Sequence, residues 1–288
     1  MYDSHVTVLA DGRDLGWLEL GVPDGTPVFA FHGTPGSRMQ LTFDETAIRD
    51  AGVRLICPDR PGYGLSSFQP GRRLVDWPGD VAHLAGHLDI GRFAVMGISG
   101  GGPHAAVCAA LLGERIIVAA IVSGVGPLGD PRATEGMMRS NQMLVKLSRR
   151  RSPLLRAALS AQVAVARRWP DRAIDLMVKQ LPEADVAILR RPEIRALFEL
   201  DAGRSSRTTA KAAAQDFALF ANDWGFDLGK IAVPTHVWQG GADLNVPPNH
   251  ARLQHEAITG SVLHELEGEG HLMVIDHIAE IVAARDSR

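Results

Sequence analysis

Gly97-Ile98-Ser99-Gly100-Gly101 places a serine among glycines at the point where a short apolar run gives way to a helical pattern. A strand-to-helix turn of the form G-x-S-x-G strains its serine and exposes the hydroxyl, while free N–H groups of the next helix face any developing negative charge. Gly97 and Gly101 remove Cβ atoms that would crowd such a turn. An alcohol near neutral pH is a weak nucleophile, so Ser99 needs a base, and the base needs an orienting acid. Of the eleven histidines, His271 closes a Gly268-Glu269-Gly270 run directly after the last strand-like segment. Asp243 follows another such segment through Gly241-Ala242. Both lie at strand C-termini, where open α/β sheets place their ligands. The other acid position, after Ile116 to Ser123, carries no nearby carboxylate. The order Ser99, Asp243, His271 is that of an acyl-transfer triad. Its oxyanion requires backbone donors, and the N–H groups of Gly100 and of Thr34, in Phe31-His32-Gly33-Thr34-Pro35-Gly36, are the expected pair. His32, Gly33, Gly97 and Gly101 are read as loop support. His32 precedes the nucleophile in a Gly/Pro-rich turn and is read as structural, not as the base.

The elements that must position these groups follow from hydrophobic pattern. Two alternating runs, His5 to Ala10 and Leu15 to Leu20, flank an Asp11-Gly12 pair and predict an antiparallel hairpin. The runs Pro27 to Phe31, Arg54 to Cys57, Phe93 to Ile98 and Ile116 to Ser123 are continuously apolar, as parallel strands covered on both faces must be. Helices are predicted over Met39 to Asp50, Val75 to Leu88 and Gly101 to Leu112. From about Gly126 to Asp223 strand-like runs disappear, and Pro131, Pro153, Pro170, Pro182 and Pro192 stand at helix-start positions. The alternation then resumes with Pro234 to Gly240, a helix near Pro248 to Ile258, Ser261 to Leu266, and a helix from Leu272 to Ala284. The expected architecture is α/β: a mostly parallel sheet with an N-terminal antiparallel hairpin and helices on both faces. Residues 1–125 and 224–288 form the core, and 126–223 a helical cap inserted between core strands.

The 288 residues carry a formal charge of -3 and a pI near 6.4, which supplies no global attraction to nucleic acid. Two cysteines, Cys57 and Cys108, are too few for a disulfide scaffold and lack zinc-ligand spacing. No basic-then-apolar leader and no long apolar span is present, so a cytoplasmic protein is expected, as monomer or homodimer. The chemistry calls for no cofactor and no metal. Between Arg132 and Arg172 ten basic residues face two acidic ones, a pattern read as a solvated helix face over an anion-attracting one. Met137, Met138, Met143 and Leu144 there suit an acyl-binding wall or packing between cap and core.

HGTPG at 32–36, DRPGYGLS at 59–66, GISGG at 97–101, GGAD at 240–243 and GEGH at 268–271 together resemble the α/β-hydrolase superfamily over almost the whole chain. The resemblance implies a serine hydrolase acting on a small-molecule acyl substrate, with the cap setting substrate choice. It also implies that DRPGYGLS is a rigid turn after a core strand. The run Gly100-Gly101-Gly102 departs from members that carry a larger side chain after the nucleophile, which implies a more open or mobile elbow. Ser99 speaks against epoxide- and halide-processing relatives, whose nucleophile is a carboxylate. Tyr2 and Tyr63 lie outside the insertion, and Lys146, Lys179, Lys211 and Lys230 lie away from the triad segments, which argues against epoxide opening and hydroxynitrile cleavage. HGTPG is similar to the HGGPG loop of prolyl aminopeptidases, in which Glu183, Asp185, Glu193, Glu199 and Asp201 would be candidate ammonium ligands. An ester is preferred over a peptide. Carbon-carbon bond hydrolysis by the same triad, a ligand receptor and a cofactor-free oxygenase on this fold stay open.

Overall fold

Strands that are apolar on both faces need cover on both faces, and the chain supplies it in three layers. A computed structural model describes residues 3–150, 152–203 and 209–284. Its eight strands are β1 (Ser4–Val8), β2 (Asp14–Gly21), β3 (Thr26–Phe31), β4 (Val53–Pro58), β5 (Phe93–Ile98), β6 (Ile116–Val122), β7 (Thr235–Gly240) and β8 (Val262–Leu266). They form one sheet in the order β1-β2-β4-β3-β5-β6-β7-β8. β1 and β2 are antiparallel, joined at the Asp11-Gly12 turn where Gly12 has φ 83°, and β2 pairs antiparallel with β4. From β4 to β8 every pairing is parallel.

Alternation along single strands divides the core. Phe29, Phe31, Phe93, Val95, Ala119 and Ile121 face α2 (Trp77–His87) and α3 (Gly102–Leu111). Val28, Ala30, Ala94, Met96, Val118 and Val122 face the opposite way, towards α1 (Glu45–Asp50) and α11 (Val274–Ala283). Helix α10 (Asn249–Ala257) packs beside β7 and β8. Cys57 and Cys108 are buried free thiols.

The helix expected over Met39 to Asp50 is two pieces, a 3-10 turn Arg38–Leu41 and α1. Asp44 is the reason: its carboxylate accepts from Ala47 N–H at 2.9 Å, which starts a new helix instead of continuing the old one.

Between β6 and β7 the described residues form six helices: α4 (Arg139–Arg149), α5 (Pro153–Arg168), α6 (Pro170–Val178), α7 (Glu183–Leu189), α8 (Pro192–Gly203) and α9 (Thr209–Phe220). Pro153, Pro170 and Pro192 open α5, α6 and α8, where a missing N–H costs nothing. Met137 is buried with Leu128, Val145 and Phe220, Leu144 packs beside Leu155 and Leu159, and Met143 is exposed. Among the described residues no helix is long and apolar enough to cross a membrane.

Candidate active site

Parallel pairing puts the carboxyl ends of β3, β5, β6, β7 and β8 along one edge of the sheet, and every expected site residue but Gly97, the penultimate residue of β5, follows one of those ends. Register ties Phe31 to Gly97, Ile98 to Val122, Val122 to Trp238 and Gly240 to Leu266, so the loops start nearly level. Ser99 is the first residue after β5 and has φ 54°, the left-handed region that a serine adopts only under constraint. Its neighbours leave no alternative. A Cβ on Gly97 would stand 2.9 Å from Ala105 Cβ, and one on Gly101 would stand 2.8 Å from the Phe31 carbonyl carbon.

β5 and β8 are three strand spacings apart, about 14 Å, so His271 must be brought back across β7. The segment after β8 does this by folding over the end of β7. Gly241 N–H donates to Leu266 O and Ala242 N–H to Glu269 O, both at 2.8 Å. His271 Nδ1 then donates to Asp243 Oδ2 at 2.7 Å, which leaves Nε2 as the nitrogen with a free lone pair. Asp243 is fully buried, whereas the imidazole keeps 13% of its side-chain surface exposed and so remains reachable. Burial works against the imidazolium, but the charge and hydrogen bond of Asp243, with a smaller contribution from Asp185, raise the His271 pKa above its ordinary 6.5.

Asp243 is held from four directions. Its Oδ1 accepts from Asn245 N–H at 2.8 Å and Val246 N–H at 2.9 Å. Its Oδ2 accepts from His271 and from Gln239 Nε2, the latter at 3.2 Å. Gln239 is a site residue that sequence reasoning missed. An amide directly after Val237-Trp238 in a strand, four residues before the acid, is the available signal. The position after β6, by contrast, holds Ser123, buried and at φ 45°, with no carboxylate beside it.

The Gly33-Thr34 loop lies against Ser99. A Cβ on Gly33 would be 3.4 Å from Ser99 Cβ, and one on Gly100 would be 3.2 Å from Thr34 N. The two expected N–H donors are therefore neighbours. Gly100 is buried, and the room its side chain would take is filled by Thr34, whose Oγ1 a Cβ would strike. The elbow is thus not more open for having a glycine there, contrary to expectation, because Thr34 of the facing loop occupies that space. Thr34 Oγ1 donates to Asp216 Oδ2 at 3.0 Å. His32 is fully buried, its Nδ1 donating to Gly33 O at 2.8 Å and its Nε2 accepting from Arg60 N–H at 3.0 Å. Burial and the charge of Arg60 hold its pKa well below the ordinary value, so it is a neutral structural imidazole.

The acids of the inserted helices separate into two groups. Glu183 and Glu193 are exposed, and Glu199 pairs with Arg195. Asp185 and Asp201 are buried against the core loops, as is Asp216, which sequence reasoning did not single out. Asp185 Oδ1 accepts from Leu272 N–H at 2.8 Å, next to His271. Asp201 accepts from Ser37 Oγ. Their signal is a carboxylate in an apolar stripe: Asp216 has Ala212 and Phe220 four residues to either side, both buried.

Comparison with known proteins identifies the fold and the family. A protein of Bacillus subtilis (strain 168) named "Uncharacterized hydrolase YcgS" is 27% identical over 93% of this chain and 91% of its own. Among solved structures, an esterase (EaEST) from Exiguobacterium antarcticum superposes with a TM-score of 0.67 at 20% identity, covering 96% of each chain. The enol-lactonase from Burkholderia xenovorans LB400 superposes with a TM-score of 0.70 at 21% identity, covering 99% of this chain and 100% of the other. The model of the Alpha/beta hydrolase family matches residues 28–284, and the chain belongs to that family.

Proposed function

We propose that this α/β hydrolase is a serine hydrolase that cleaves a carboxylic ester, or a related acyl bond, of a small molecule through an acyl-enzyme on Ser99. The observation that carries the reading is the 2.7 Å hydrogen bond from His271 Nδ1 to buried Asp243, at the sheet edge that also presents the strained Ser99. Ser99 Oγ attacks the acyl carbon and its proton passes to His271 Nε2. The imidazolium is stabilised by Asp243, and the oxyanion accepts from Thr34 N–H and Gly100 N–H. Collapse expels the alcohol, which takes the proton from His271. Water, deprotonated by the same nitrogen, then attacks the acyl-enzyme; the second tetrahedral intermediate collapses to the acid as Ser99 Oγ leaves and takes the proton back from His271. Residues 126–223 act as the cap that shapes the acyl site, and two proteins of similar fold, an esterase and an enol-lactonase, act on the same bond class.

An aminopeptidase reading loses support, because Asp201 accepts from Ser37 of a core loop and Glu199 is paired with Arg195. The test is a fluorophosphonate probe with short-chain nitrophenyl esters. Labelling and turnover should both vanish in Ser99→Ala. Labelling that persists in that variant would remove Ser99 from the mechanism.

A further inference from the structure

We infer that Arg60, held by Asp216 of the inserted helix α9, orients and polarises the Gly33-Thr34 peptide, so that seating of α9 on the core completes one half of the oxyanion site. The inference rests on the serine hydrolase reading above and adds two positioning residues to it. A peptide carbonyl and the N–H that follows it form one conjugated, planar unit. The partner of the expected donor Thr34 N–H is therefore the Gly33 carbonyl. That oxygen accepts from Arg60 Nη2 at 2.8 Å and from His32 Nδ1 at 2.8 Å. Two donors, one of them a full cation, fix the plane of the unit and draw electron density towards the oxygen. The Thr34 N–H thereby becomes a stronger donor and is aimed before substrate arrives. The other donor, Gly100 N–H, has its own unit capped by a neutral group, Val125 N–H on Ser99 O at 3.0 Å.

Arg60 keeps this position through the insertion. Its Nη2 also donates to Thr34 Oγ1 at 2.7 Å, and its Nη1 pairs with Asp216. Asp216 additionally accepts from Arg72, from Thr34 Oγ1, and from Tyr63 Oη at 2.7 Å. Arg60, Tyr63 and Asp216 are completely buried. The charge does not cancel. Burial disfavours the carboxylate, yet Arg60 and Arg72 hold Asp216 ionised, while His32 and His104 are kept neutral by burial and Tyr63 stays protonated. Two guanidiniums face one carboxylate, and the surplus positive charge sits behind the peptide that meets the oxyanion. In this dry surrounding it is weakly screened.

A role in aiming and polarising a transition-state donor separates from a role in holding the loop by what each does to tetrahedral ligands. The experiment measures kcat, KM and the Ki of an alkyl boronic acid, which forms a tetrahedral adduct on the serine, for wild type, Arg60→Lys and Asp216→Asn, each checked by circular dichroism and thermal melting. Lysine keeps the charge but cannot reach Gly33 O and Asp216 together. The expected result for Arg60→Lys is a kcat lower by about 10- to 100-fold, less than the loss of a whole donor, a parallel rise in boronate Ki, and little change in KM. Asp216→Asn loosens the clamp on Arg60 but also removes a negative charge, two opposed effects; with the lost clamp dominant, kcat and Ki should move in the same direction by a smaller factor, and this variant carries the test if Arg60→Lys does not fold. A folded variant whose boronate Ki stays at the wild-type value, or rises only as much as KM, overturns the inference and leaves the serine hydrolase reading intact. Wild-type protein that takes neither boronate nor fluorophosphonate overturns both.

Discussion

Replacing Gly100 by alanine tests how the oxyanion loop and the elbow are fitted together. A Cβ at 100 would collide with Thr34 Oγ1 and stand 2.8 Å from Thr34 Cβ. Carbon pairs settle at roughly 3.5–4.0 Å, so one of the two loops must yield by about 0.7 Å or more. Thr34 cannot simply rotate, because its hydroxyl donates to Asp216 and accepts from Arg60 at 2.7 Å. The backbone moves instead and carries an oxyanion donor with it. Overpacking of this kind costs about 1–3 kcal/mol of stability, and loss of one donor costs about 10²–10³ in kcat. Gly100→Ala should therefore lower kcat on a nitrophenyl ester by about 10²-fold, with KM nearly unchanged and a lower melting temperature. The double variant Thr34→Gly/Gly100→Ala should accordingly recover much of both losses, a coupling that a double-mutant cycle measures directly. The reasoning fails if Gly100→Ala keeps wild-type kcat and melting temperature, or if the double variant is no better than the single one.

Asp243→Asn, which cannot hold the Nδ1–H tautomer of His271, should reduce kcat by about 10³–10⁴-fold while circular dichroism stays native; an activity loss below tenfold would assign the orienting role elsewhere. Because the reaction needs neutral His271 and Asp243 raises its pKa, kcat/KM should climb with pH through an apparent pKa above the ordinary 6.5. A midpoint at or below that value contradicts the assignment. Asp201 is buried and its pKa is pushed from 3.8 up to about 7. Native protein thus holds a proton that the unfolded chain has released, and stability declines as pH rises from about 4 to 7. Asp201→Asn keeps the acceptor for Ser37 and removes that decline. It should match wild type at pH 4 and be more stable at pH 8 by up to about 4 kcal/mol in urea unfolding; equal stability at both pH values refutes the shift.

Much of this was legible before any coordinates. Hydrophobic runs that do not alternate require two covered faces, and glycines on both sides of a serine require a turn too tight for Cβ atoms. Both are local constraints, so the strand positions, the Ser99 turn and the segments carrying Asp243 and His271 could be read residue by residue. Pro153, Pro170 and Pro192 marked the starts of three inserted helices for the same reason, whereas α4 and α9 begin without one. What local pattern does not carry is which remote groups an acid on a helix's apolar stripe will meet. Asp185, Asp201 and Asp216 have the composition of solvated acids, yet each is buried against a loop of the sheet edge. Whether a carboxylate is hydrated or clamped depends on groups distant in the chain, as Arg60 and Arg72 are from Asp216. In the same way Gly100 reads as a gap until Thr34 is seen to fill it. Short-range sterics and periodicity are written along the chain; charge pairing and shape complementarity between remote segments exist only once the sheet has placed those segments side by side.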